Sequence, residues 1–216
     1  MTIWGMAQQV LSGTGATLLI FFSTVIFSMP LGLLVAWGRM SRFKPVSLVV
    51  KVFISILRGT PLMLQLIVWF YGPYYLFGTQ LSSGWRLTAT ILGFSINYAA
   101  YFAEIFRSGI QSIPLGQYEA ANVLGYSKAQ TFCKIIFPQM CKRVLPPVTN
   151  EVITLVKDTS LAFVLAYAEV FTIAKQVAAA QTTIIPLFIA GGFYYVFNFV
   201  VDFVMAKIEQ KMNYYR

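Results

Sequence analysis

Histidine is absent from the 216 residues, cysteine occurs twice, and only seven side chains are acidic. Without His there is no Ser–His pair and no His-Glu-x-x-His zinc helix, and no Gly-x-Ser-x-Gly elbow supplies a nucleophile. Cys133 and Cys141 share one basic stretch. Two thiols without His neither close a four-ligand zinc site nor build a disulfide framework, so they read as small apolar residues and no metal site is expected. The chain also lacks a Gly-x-x-x-x-Gly-Lys-Ser/Thr loop to cradle ATP phosphates. Nothing marks an enzyme, because the acids that cluster in an apolar run lie beside a Lys instead of forming an isolated carboxylate pair. No low-complexity segment, internal repeat or long linker divides the sequence, so residues 1–216 are expected to form one domain. No Lys or Arg precedes Arg39, so the charged start of a cleavable signal peptide is missing and the first apolar run is expected to stay as an anchor.

What is present is apolar. Hydrophobic residues make up 58% of the chain, charged residues 11%, and mean hydropathy is +0.71, too apolar for a water-soluble domain of this size. The long runs are apolar on every side and near the ~20 residues that cross a bilayer. Five such spans are counted, at 15–37, 52–77, 87–106, 145–168 and 184–206. The net charge of +9 sits in short clusters between them, a membrane-topology pattern that points away from a nucleic-acid partner. Arg39, Arg42, Lys44 and Lys51 occupy the first loop, Arg107, Lys128, Lys134, Lys142 and Arg143 the third, and Lys207, Lys211 and Arg216 the tail. The opposite loops carry only Arg86 and Lys175, a bias of 12 to 2 that puts the N-terminus outside and the C-terminus in the cytoplasm.

Two regions interrupt this simple pattern. Arg58, Gly59, Thr60 and Pro61 place a charge, a flexible residue and a helix breaker inside the second span, which predicts a bend or break there. Such a break either lines a cavity or serves packing alone. The cytoplasmic stretch 108–144 is amphipathic instead of uniformly polar. After Pro114, residues 115–124 fit a short helix, Gly125 suits a left-handed stop, and Ser127 caps a second helix expected to end before Pro138. Glu119 is available to a basic partner, Ala120 and Ala121 allow close approach, and Phe132, Ile135 and Ile136 offer apolar anchors, so the pair would fit a groove on a partner.

Glu119-Ala120-Ala121, then Gly125, then Ile135 with Phe137 and Pro138, resembles the coupling loop of permease subunits in ATP-binding-cassette importers. That loop reads Glu-Ala-Ala, three residues, Gly, nine residues, Ile, one residue, Leu-Pro, and the only departure is Phe137 for Leu. Arg58-Gly59-Thr60-Pro61-Leu62, Tyr101 to Glu104 with Arg107, Ile113-Pro114 with Gly116-Gln117, and Lys157-Asp158-Thr159-Ser160-Leu161 are similar to the polar amino-acid uptake branch, and the likeness covers roughly 14–208. The resemblance implies an all-α membrane protein with the five transmembrane helices of the type I importer core and a cytoplasmic coupling-helix loop at 108–144. It implies a multi-pass protein of the bacterial inner or plasma membrane that moves amino acids, or similar small polar solutes, inward by alternating access. Its implied partners are two cytoplasmic ATPase subunits, a second permease copy or homologue, and an external solute-binding protein, within a lipid bilayer. ATP and Mg would be bound by the ATPase, with no cofactor in this chain. Glu119, Ala120, Ala121, Gly125, Ile135 and Pro138 would couple to it. A channel or secondary transporter has no use for an ordered helix pair at that place.

Glu151, Lys157 and Asp158 lie in the fourth span, where each charge facing lipid would cost about 2.5–3.5 kcal/mol. At 100° per residue they share an arc of about 120° with Asn150 and Thr154. The stripe either glues helices together, with Lys157 and Asp158 near the cytoplasmic mouth, or faces a solute. In the permeases that the chain resembles, charged residues at these positions contact the amino acid, so Glu151, Lys157 and Asp158 are the candidate solute-binding residues. Glu104 is expected to pair with Arg107, and Asn97, Asn198 and Asp202 to bond between helices.

Overall fold

The computed structural model describes residues 2–82 and 84–212, so Arg216 of the basic tail lies outside the described residues. Among these the chain forms ten α-helices and no strand: α1 Ile3–Leu11, α2 Thr14–Arg39, α3 Lys44–Gly59, α4 Leu62–Phe77, α5 Trp85–Gln111, α6 Leu115–Val123, α7 Lys128–Thr131, α8 Phe137–Asp158, α9 Val170–Gln181 and α10 Ile185–Met212. A π-helical turn, Phe132–Ile136, joins α7 to α8, and a 3₁₀ turn, Thr159–Leu165, follows α8. Two stretches are long and apolar enough to cross a membrane, Ile3–Arg39 and Ile185–Met212. Two bent pairs qualify when each is taken as one crossing: Lys44–Gly59 with Leu62–Phe77, meeting at 110°, and Lys128–Leu165 with Val170–Gln181, at 56°.

Two expected boundaries move. The first loop is expected to reach Lys51, but α3 already starts at Lys44, because Pro45 suits a first helical turn and the lysines fall on one face while valines occupy the other. The second cytoplasmic helix is expected to end before Pro138; instead it runs through the π-turn straight into α8. Proline can neither donate to the preceding turn nor clear its carbonyl, and the wider π-turn before it absorbs that mismatch without ending the helix.

α5 is the centre of the bundle, with more buried residues than any other described helix. Its main partner is α2, and α3, α4 and α8 also pack on it. Ala99, Ala100 and Ala103 are fully buried and let backbones approach, the packing that substitutes for hydrophobic driving force in lipid. Glu169, also fully buried, ties the end of the chain to its start. Its carboxylate accepts from Phe171 N and Thr172 N (2.6 Å each) at the start of α9, from Thr172 Oγ1 (2.7 Å) and from Tyr194 Oη of α10 (2.8 Å). Thr17 of α2 accepts from Val170 N beside it.

Gly32 marks a close approach between α2 and α5. A Cβ there would lie 2.8 Å from Phe102 Cβ and 3.1 Å from Ala99 O. Gly32→Val is expected to destabilise the bundle by about 1–3 kcal/mol through overpacking. Thermal unfolding in detergent checks this, and an unchanged midpoint would mean the two helices are not pressed together at this level.

Candidate functional site

Thr60, the residue before Pro61, is extended (φ −120°, ψ 147°), so α3 cannot run on into α4. Such a break leaves carbonyls at the end of α3 without intrahelical donors, a cost that a lipid-embedded bundle must meet from its own side chains. Gln65, buried in the first turns of α4, reaches back: its Nε2 lies 2.9 Å from Leu57 O, 3.1 Å from Thr60 O and 2.8 Å from Thr60 Oγ1. Asn97 of α5 completes the knot, with Nδ2 donating to Leu57 O (3.2 Å) and Gln65 Oε1 (3.0 Å). The broken span is thereby fixed to the central helix.

Beside the knot lies a cavity of about 380 Å³. Thr60, Pro61 and Leu62 form one wall, Asn97, Tyr98 and Tyr101 of α5 the next, and Glu151, Thr154 and Asp158 of α8 with Leu161 another. The wall at Pro61 and Leu62 is the N-terminal turn of α4, the positive end of its dipole, where backbone N–H groups precede the first intrahelical bonds. Tyr98 Oη donates to Asp158 Oδ2 at 2.7 Å, holding α5 to α8. The Arg58 guanidinium lies over the Tyr101 ring, 5.2 Å from its centroid. The arrangement offers donors and positive potential on one wall, two carboxylates on another, and aromatic surface between.

Of the three residues singled out from sequence, Glu151 and Asp158 meet in this cavity and Lys157 does not. Lys157 is exposed, and helical geometry explains it: at 100° per residue, Glu151, Thr154 and Asp158 lie within about 60°, with Asn150 and Lys157 round the shoulder. Gln65 and Tyr98 were not singled out. Gln65 had a signal, the one polar residue between Pro61 and Trp69; Tyr98 in an aromatic-rich run had none. Glu104 pairs with Arg107 (2.6 Å) as the three-residue spacing predicts. Asn97 bonds between helices, whereas Asn198 Oδ1 is buried without a partner and Asp202 is exposed, so among the described residues neither makes the expected interhelical bond.

Residues 28–214 match the family described as the inner membrane component of binding-protein-dependent transport systems. The chain belongs to this family. It is 35% identical to the arginine transport system permease protein ArtQ of Bacillus subtilis, covering 94% of this chain and 92% of that protein. It is also 35% identical to the L-cystine transport system permease protein TcyB of the same organism, over 98% and 92%. Its fold superimposes with a TM-score of 0.85, at 31% identity over 98% of this chain and 99% of the other, on a chain from the crystal structure of an amino acid ABC transporter with histidines. A chain of the MetNI methionine ABC transporter in an inward-facing form, 18% identical over 99% and 100%, shares the fold with a TM-score of 0.76.

The permease carries its loop residues in a defined shape. α6 ends in a full left-handed stop: Gly125 has φ +75°, its N–H bonds Asn122 O, and Tyr126 N bonds Ala121 O at 3.0 Å. Ser127 and Gln130 then cap α7 reciprocally. Glu119, Ala120, Gly125 and Pro138 are exposed, Ile135 is half-buried and Ala121 is buried. Of the expected apolar anchors, Ile136 is corrected because it is fully buried, while Phe132, packed on Trp37 and Phe137, and Ile135 are half-buried; the exposed large apolar residues of the loop are Leu115, Val123, Leu124 and Phe137. The Arg143 guanidinium donates to Ser112 O, closing the loop onto the end of α5.

Gln65→Leu is expected to cost about 1–3 kcal/mol, since it strips donors from the carbonyls at the break and takes an acceptor from Asn97. Thermal unfolding of the purified permease reads this loss. Wild-type stability would show that the knot does not hold the broken span.

Proposed function

We propose that the cavity between the α3–α4 break, α5 and α8 is the solute site of an importer for amino acids, and that it accepts them as zwitterions or with an additional positive charge. The observation that carries the reading is the pairing of walls: Glu151 and Asp158 on α8, and the N-terminal turn of α4 at Pro61 and Leu62. A half-helix N-terminus suits a carboxylate, and the two acids suit an ammonium or a cationic side chain. The tyrosines supply apolar surface. With Lys157 on the shoulder of α8, the carboxylates are balanced only at a distance by Arg58, which favours a cationic solute. The names of the relatives, arginine and L-cystine transport permeases, agree with that chemistry.

In this reading five crossings are made by α2, the α3–α4 pair, α5, α8 with its 3₁₀ turn, and α10, all within one domain. Basic residues at the α2–α3 turn, the 108–144 loop and the end of α10 support a cytoplasmic position for those regions, with the N-terminus outside. The α6–α7 pair, through Glu119, Ala120, Ala121, Gly125, Ile135 and Pro138, docks on a separate ATPase subunit. ATP and Mg are bound there, because the chain has no phosphate-binding loop. A second permease copy or homologue and an external solute-binding protein complete the importer. Closure of the ATPase pair rocks the helices and exposes the cavity to one side of the membrane, then the other; the solute itself is not changed.

Asp158→Asn and Glu151→Gln keep shape and remove charge. Each is expected to raise the half-maximal solute concentration for stimulated ATP hydrolysis about tenfold or more, the loss of a charged hydrogen bond worth about 1.5–3 kcal/mol. A stripe that only packs helices predicts poorer assembly, with normal half-maximal values in the complexes that survive. Unchanged values in both intact variants would end the site assignment. Gly125→Val, forced into a left-handed backbone that β-branched residues resist, and Glu119→Lys, which reverses an exposed charge, should insert normally but lose solute-dependent ATP hydrolysis. Wild-type import by either variant in proteoliposomes would rule out the loop as the coupling element.

A further inference from the structure

A second cavity, of about 560 Å³, lies where α2 ends and α3 begins, lined chiefly by Arg39, Ser41, Lys44, Ser47, Leu48 and Lys51. It plays no part in the solute site. Three cations and two hydroxyls face it, and no acid lines it. The turn is latched by Arg39 and Ser47: Arg39 Nη1 donates to Ser47 Oγ at 3.1 Å, and Ser47 Oγ donates to Arg39 O at 2.7 Å. The nearby acid, Glu104, lies outside the cleft and is shared: it bonds Arg107 at 2.6 Å and forms a longer ion pair with Arg39 Nε at 4.0 Å. Lys44 and Lys51 form no ion pair among the described residues, and two helical turns apart they share one face of α3. The cleft is therefore a concentration of positive charge in which only Arg39 has an acidic partner, one it shares with Arg107.

The apolar neighbours of that face say what kind of anion fits. Leu48 lines the cleft and begins a ridge with Val52 and Ile56, at four-residue spacing, and all three are exposed. A soluble anion has no use for this ridge, whereas a phospholipid has a headgroup for the cations and acyl chains for Leu48, Val52 and Ile56. Basic residues beside membrane-buried apolar surface attract anionic headgroups in preference to zwitterionic ones, because only the former leave net charge for the surplus cations. We infer that the α2–α3 cleft is a binding site for one anionic phospholipid, its phosphate among Arg39, Lys44 and Lys51 and an acyl chain along the Leu48–Val52–Ile56 ridge.

Native mass spectrometry of the full chain, delipidated in neutral detergent and titrated with phosphatidylglycerol or phosphatidylcholine, tests this. Phosphatidylglycerol should be retained in preference, at one copy per chain. Lys44→Gln with Lys51→Gln should weaken retention about 10- to 30-fold, at the scale of two interfacial lysines. Lys44→Arg with Lys51→Arg should keep it, and Lys207→Gln with Lys211→Gln, which removes the same charge from the end of α10, should leave it unchanged. Equal retention of both lipids, equal loss in the α10 variant, or displacement of phosphatidylglycerol by millimolar inorganic phosphate would each overturn the assignment. Should the Gln pair fail to fold, Leu48→Asn provides the second arm: it should weaken long-chain phosphatidylglycerol while sparing a short-chain analogue, and equal effects on both would count against the ridge. None of these readouts involves solute or ATP, so a failed lipid site leaves the solute reading standing.

Discussion

An amide side chain holding a broken backbone is the constraint from which the rest of this bundle follows. Pro61 ends α3 and leaves the carbonyls of Leu57 and Thr60 without intrahelical donors, beside a cavity inside the bundle. Gln65 and Asn97 take them up instead. Because Asn97 belongs to α5, the repair also sets how far α4 stands from the central helix, and the neighbouring residues of both, Thr60 to Leu62 and Tyr98, become cavity wall. A break satisfied by its own helix alone would carry no such positional information.

The sequence was legible where one residue's chemistry decides a local geometry. Gly125 reads as a left-handed stop, Ser127 as a cap, Glu104 as the partner of Arg107, and Arg58 to Pro61 as a break, because each depends on neighbours within four residues. It was less legible where the answer depends on a distant element. Tyr98 meets Asp158 from sixty positions away, and nothing in either neighbourhood announces the bond. Lys157 shows the limit of an arc argument: a 120° stripe can hold both a cavity face and a shoulder, and only the packing of α5 decides which part faces inward. Glu169 directly follows the fourth apolar run and no local signal singled it out, yet it is fully buried with four donors.

Charge is divided along the molecule in a way that local pairing does not require. The cavity beside the α3–α4 break is acidic through Glu151 and Asp158, and the turn between α2 and α3 is basic through Arg39, Lys44 and Lys51. Arg58 stands between the two regions, at the end of the same helix that carries Lys44 and Lys51, stacked on a tyrosine that lines the acidic cavity. α3 thus presents a row of cations seven residues apart, from the loop end to the break. Such a row cannot face hydrocarbon without a cost of several kcal/mol. It therefore faces protein, headgroups or water, and the exposed apolar residues on the rest of α3 are left to meet the acyl chains.

The fusion of α7 to α8 bears most directly on how the two ends of the molecule communicate. Had the loop helix stopped before Pro138, a flexible link would have separated the α6–α7 pair, the proposed ATPase-docking surface, from the bundle. The π-turn keeps the helix continuous, so the same rod that begins beside Ile135 and Pro138 ends at Asp158 in the cavity. At 1.5 Å per residue that rod is about 32 Å long, and a tilt of a few degrees at its cytoplasmic end displaces the other end by a distance comparable to a hydrogen bond's tolerance. The bond from Tyr98 to Asp158 lies at that far end, where a displacement of that size is enough to make or break it. In the proposed cycle, movement of the loop would reach the solute site as a change in how one carboxylate is held, with no need for a relay of separate side chains.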